Sequence, residues 1–107
     1  MKPVKRVLAI NIALAAALSD TKIQNFSIDK DCDEIIAVIP DSSNNFTFQI
    51  KEQNTNVPWF EEAKANMSVS NPRIDLHYQI KNDRNMQMTA INQTAVAMTA
   101  RVLILIG

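Results

Sequence analysis

Both ends of this chain read as long β-strands, and both are more hydrophobic than anything between them. Val4, Leu8, Ile10, Ile12, Leu14 and Leu18 are large and sit at even positions, while Ala9, Asn11, Ala13, Ala15 and Ala17 between them are small. A repeat of two residues, with one bulky and one small face, is the signature of a strand. Met86, Met88, Ala90, Val96, Met98, Val102, Ile104 and Ile106 keep the same even-number rule, and the run Arg101–Gly107 then turns apolar on both faces. Strands of this kind at the two ends call for a sheet closed on its own termini or on a neighbouring chain.

The 107 residues make one β-rich domain, 1–107. A domain of that size buries roughly two-thirds of the surface its unfolded chain exposes, enough for a core without disulfide or metal staples. Eleven basic and eleven acidic residues cancel. No global field steers the protein to nucleic acid or anionic lipid, so nucleic acid is not an expected partner. The single cysteine, Cys32, has no intramolecular partner and reads as an inert side chain. Lys2, Lys5 and Arg6 ahead of Val7–Leu18 imitate a secretory signal with small residues near Ala15–Ala17. Asn11 interrupts the apolar run, however, and the alternation is more regular than a signal needs. The run also falls short of the roughly 20 residues of a membrane-spanning helix.

Between the ends, the sequence predicts a first strand from Pro3 to Leu18, a second around Ile23, Phe26 and Ile28, and a break at the acidic run 29–34. Ile35–Ile39 is a β-branched run stopped by Pro40, and Phe46, Phe48 and Ile50 share one face after the turn 41–45, so this pair reads as a hairpin. Pro58 with Glu61 and Glu62 close behind and Lys64 later predicts one short helix near 58–67, pinned by Trp59, Phe60 and Met67. Val69, Ile74, Leu76, Tyr78 and Ile80 describe another strand, and the stretch from Asn85 is one very long strand or a hairpin broken at Asn92–Thr94. The expected fold is therefore mainly β: an antiparallel β-sandwich or small barrel of six to eight strands with that one helix. Gly107 is the only glycine, so the turns depend on Asn, Asp and Ser.

The same scarcity removes phosphate-cradling loops and dinucleotide fingerprints, which need glycine where backbone meets ligand. His77 is the sole histidine and has no nucleophile motif to serve. Asp29, Asp31 and Asp33 alternate like the first ligands of a calcium loop, but Glu34 stands where glycine is required and Pro40 where the closing glutamate belongs. They are weak metal candidates, and an Asp-rich turn is the default. No catalytic residue and no cofactor is expected. Sequons occur at Asn25, Asn45, Asn66 and Asn92 and read as part of a polar Asn/Gln/Ser/Thr surface.

Trp59, Phe60, Val96, Met98, Val102 and Ile104 are the candidates for packing or interface. A sheet without glycine bulges or abundant edge lysines is poorly defended against pairing with other chains. The expectation is a non-enzymatic structural subunit, in a homo-oligomer or on a larger protein scaffold. A small virion component, such as a minor capsid, penton or decoration protein, fits that description. The alternative is a secreted or periplasmic β-sandwich binding module, or a pilus-like subunit, with a signal-like first segment.

Overall fold

A computed structural model of the chain describes residues 2–42, 44–64, 73–81 and 83–107. Eight strands follow one another: β1 (Arg6–Leu14), β2 (Thr21–Ser27), β3 (Glu34–Pro40), β4 (Phe46–Glu52), β5 (Phe60–Lys64), β6 (Ile74–Gln79), β7 (Asn85–Asn92) and β8 (Met98–Ile106). They form two antiparallel sheets of four, a first sheet in the order β1-β8-β3-β6 and a second in the order β2-β7-β4-β5. No helix among the described residues is long and apolar enough to cross a membrane.

The pairing runs inward from both ends of the chain. β1 pairs with β8, β2 with β7, β3 with β6 and β4 with β5, as in one long hairpin with its tip between β4 and β5. The hairpin is rolled, so that β8 also pairs with β3, and β7 with β4. An eight-stranded double sheet wound in this way is a jelly roll. The alternating residues of the terminal strands explain the sandwich directly. Ile10, Ile12 and Leu14 of β1 and Val102, Ile104 and Ile106 of β8 are buried, facing Phe46, Phe48, Ile50, Met86 and Met88 of the other sheet in one core. β3 departs from the alternation. Its outer side is covered too, as Ile36 and Ala37 are buried with Leu105 in a second small cluster flanked by Ile39 and Leu103.

The predicted helix near 58–67 is corrected by the structure over 60–64, which form β5; positions 65–67 lie outside the described residues. The second sheet leaves one edge of β4 open, and Ile50–Phe46 pairs there with Phe60–Lys64. Burying Phe60 against Phe48, with ring centroids 5.4 Å apart, outweighs the weak helical preference of a proline followed by two glutamates. The expected β3–β4 hairpin is also corrected. β3 already has β8 and β6 on its two sides, so the chain after Pro40 crosses to the other sheet. The break near Asn92 is where the sequence put it, but β7 and β8 lie in different sheets and make no hairpin. β1 stops at Leu14, four residues short of the predicted Leu18, because the Asp20 carboxylate accepts the Ala15 N–H at 2.8 Å and turns the chain. Ser19, at φ 67°, supplies the left-handed residue of that turn in place of glycine.

One buried amide closes this end of the sandwich. Asn92 donates to the carbonyls of Ala15 and Val96, both at 2.9 Å, and accepts from the Thr94 N–H and hydroxyl, both at 2.8 Å. At the opposite end Gly107 donates to the Glu34 carbonyl, and its own carbonyl accepts from the Asp33 and Glu34 N–H groups. A Cβ at Gly107 would collide with the Pro3 carbonyl and the Ile36 side chain, so the lone glycine serves close approach and not a turn.

Urea unfolding tests this division of core from surface. Ile104→Ala, at a fully buried site, is expected to cost about 3 kcal/mol, and Val96→Ala, at a site 58% exposed, less than about 0.5 kcal/mol. Asn92→Ala removes the four hydrogen bonds of a fully buried amide and is expected to cost about 2–3 kcal/mol.

Candidate functional site

The β6 edge of the first sheet is polar and irregular. Ile35 of β3 pairs with Tyr78 of β6, but Ala37 pairs with Asp75, so β6 spends one extra residue in a bulge. His77 sits in that bulge at φ 52°, left-handed space that histidine tolerates better than most side chains. The chain then alternates, with Ile74, Leu76 and Tyr78 half-buried and Asp75, His77 and Gln79 exposed.

Glu34, the first residue of β3, is buried and held by two of those exposed side chains. His77 Nδ1 lies 3.1 Å from Glu34 Oε2, and the Gln79 amide donates to Glu34 Oε1. A second carboxylate, Glu52 at the end of β4, accepts the Tyr78 hydroxyl at 3.0 Å. Burial first, and the Glu52 carboxylate second, push the Tyr78 phenol up to about 12. Tyr78 stacks on Trp59, with centroids 4.0 Å apart and planes within 5°. From Trp59 the aromatic contacts continue through Phe60 and Phe48 to Phe46, tying the β6 edge of one sheet to β4 in the other. The buried Trp59 indole N–H has no hydrogen-bond partner among the described residues. Beside this stack lies a shallow cleft of about 350 Å³ lined by Trp59, Leu76, His77, Tyr78, Gln79 and Lys81. Its chemistry is an aromatic surface rimmed by an imidazole, an amide and an ammonium group.

The structure distributes the other sequence candidates over the sandwich. Asp29, Asp31 and Asp33 turn to the chain's own cations. Arg6 bridges Asp29 and Asp31, and Lys2 pairs with Asp33, whose carboxyl this ammonium holds below its usual range. Among the described residues no group of three acidic, histidine or cysteine side chains is placed to hold a metal ion. The acidic loop thus clasps the segment that leads into β1. Arg84 reinforces it by donating to the carbonyls of Asp29 and Cys32. Cys32 is buried, and desolvation ahead of the nearby Asp31 charge raises its thiol pKa, which keeps it protonated. Of the sequons, Asn25 is exposed on β2 and Asn45 half-buried, whereas Asn92 is fully buried with its amide engaged; Asn66 lies outside the described residues.

The packing and interface candidates also divide. Met98, Val102 and Ile104 belong to the core, Trp59 and Phe60 flank it, and Val96 is exposed in the β7–β8 loop. The outer face of the first sheet was not singled out by the sequence. Val7 pairs with Leu105 and that with Ala37, while Ala9 pairs with Leu103 and that with Ile39, so two adjacent apolar rows cross β1, β8 and β3. Val7 is 55% exposed there, and the next position along carries the Arg101–Asp41 ion pair. The signal in the sequence was the apolar run on both faces of 101–107.

The chain matches no protein-family model and no curated protein.

Tyr78 is the only tyrosine, so tyrosinate absorbance reports it alone. The expected midpoint is about 12 in the native protein and near 10 in denaturant. Because the folded-state pKa is the higher one, the stability this group contributes is fully present below about pH 10 and is lost as the pH rises toward about 12. Glu52→Gln is expected to lower the native midpoint while leaving it above 10, since burial remains.

Proposed function

We propose that this protein is a non-enzymatic structural subunit that assembles with copies of itself or on a larger protein scaffold, as a small virion component does. The observation that carries this reading is the apolar outer face of the first sheet, where Val7 is 55% exposed and Leu103 and Ile39 are half-buried beside the buried Leu105 and Ala37, bordered by the Arg101–Asp41 pair. An apolar patch with a charged rim, on a face a monomer would normally solvate, is the usual form of a protein–protein contact. Equal numbers of acidic and basic residues favour close association, because no net repulsion opposes it. The wound double sheet adds support by analogy, since jelly rolls serve as capsid domains; they also serve as lectins and cupins, so the fold alone does not choose.

The secreted or pilus-like alternative would release residues up to about Ala17 as a signal. Ile10, Ile12 and Leu14 fill the core from this segment, and β8 would lose a partner along its length, which favours the intact-strand reading.

Light scattering coupled to size exclusion, over a concentration series, tests the proposal. The expected result is a mass above the 12.0 kDa of one chain that grows with concentration. Because the contact is apolar, it is expected to persist in 1 M salt, where the screening length falls to about 3 Å. A single-chain mass at every concentration would remove self-assembly.

A further inference from the structure

The two sheets have four edges, β1 and β6 in the first and β2 and β5 in the second, and three of them are guarded. β6 is bulged at His77, with Asp75 and His77 exposed. β2 carries Lys22 and is polar at most positions, and the β5 sequence holds Glu61, Glu62 and Lys64. Charges and bulges of this kind are how natural sheets keep their edges from pairing. β1 has neither. From Val7 to Leu14 it contains no charge and no proline, and it pairs with β8 through nine consecutive residues without a shift in register. Every second residue of such a strand turns its N–H and C=O away from its partner. Beyond the β8 ladder, Val7–Leu14 make no other hydrogen bond among the described residues.

We infer that β1 is the primary contact of the assembly, pairing antiparallel with β1 of a second copy about a two-fold axis at Ile10, so that two first sheets join into one of eight strands. The inference rests on the assembly reading above and names its surface, partner and register. A second copy is the occupant because the strand is complementary to itself. With Arg6–Leu14 fully overlapped, Val7 of each copy lies opposite Ala13 of the other, and Ala9 opposite Asn11, so large meets small on the exposed face. The interface is then isologous, as a two-fold requires. It also brings the apolar rows of the two copies side by side, doubling the face available for further association.

The test compares three full-length proteins by concentration-series light scattering: the wild type, Ala9→Glu/Asn11→Glu on β1, and Ile23→Glu/Asn25→Glu on β2. All four positions are exposed in the single chain, and Asn11 pairs with Arg101, so the β1 carboxylates are tolerated within one copy. Across the axis they oppose one another. The wild type is expected at twice the single-chain mass or above, the β2 variant to match it, and the β1 variant to dimerise at least tenfold more weakly, with an unchanged urea midpoint. A β1 variant that keeps the wild-type mass overturns the pairing while leaving assembly intact. A wild type that stays at single-chain mass overturns both. The register has its own readout: Ala9→Cys/Asn11→Cys is expected to give a covalent dimer under oxidised glutathione, because directly opposed residues fall within disulfide reach. An assembled but uncrosslinked double variant overturns the fully overlapped register.

Discussion

The ladder between β1 and β8 is the contact on which the rest of this structure depends. It joins segments near opposite ends of the chain over nine residue pairs, and its closure brings β2 beside β7 and β3 beside both β8 and β6. Its entropy cost is that of closing almost the whole chain into a loop, a term that grows only slowly with length. The return is a row of buried side chains on both strands, Ile10, Ile12 and Leu14 against Val102, Ile104 and Ile106, all delivered to one core. A fold built on such distant pairings is expected to form slowly compared with one of local hairpins.

Around that ladder the chain's polar groups act as fasteners at the two ends of the sandwich. Asn92 binds the β1–β2 turn to the β7–β8 turn with every hydrogen-bonding site of its amide in use. At the other end Arg6, Lys2 and Arg84 bind the acidic loop, and the backbone at Gly107 joins the start of β3. The exposed ion pairs contribute little energy each, because water screens them. Asn92 differs in kind, since its own amide is fully buried and can find no water in place of these partners.

The even-number rule made the terminal strands legible, and Ile10, Ile12, Leu14, Val102 and Ile104 are buried as the pattern required. Turn chemistry located breaks at 41–45 and near Asn92 but carried no information about the plane in which the chain turns, so strands destined for opposite sheets read as hairpins. Residues 60–64 misled for a related reason. A proline ahead of glutamates suits a helical first turn and an edge strand alike, and the open side of β4, which no pattern within 58–67 reports, decides between them. At the β6 edge Trp59 was visible as an aromatic anchor. Its stack on Tyr78 and the burial of Glu34 beneath His77 and Gln79 were not, because those contacts join β3, β6 and the β4–β5 loop across the fold.

The order of synthesis gives the β1–β8 ladder one more consequence. At roughly 5–20 residues per second, β1 leaves the ribosome on the order of ten seconds before β8 exists to pair with it. Throughout that interval the uncharged stretch Val7–Leu14 has no partner within its own chain. Lys2, Lys5 and Arg6 precede it directly, and their charge stands at the head of the strand that waits longest, where it acts as a solubilising gatekeeper before it becomes part of the clasp on the acidic loop.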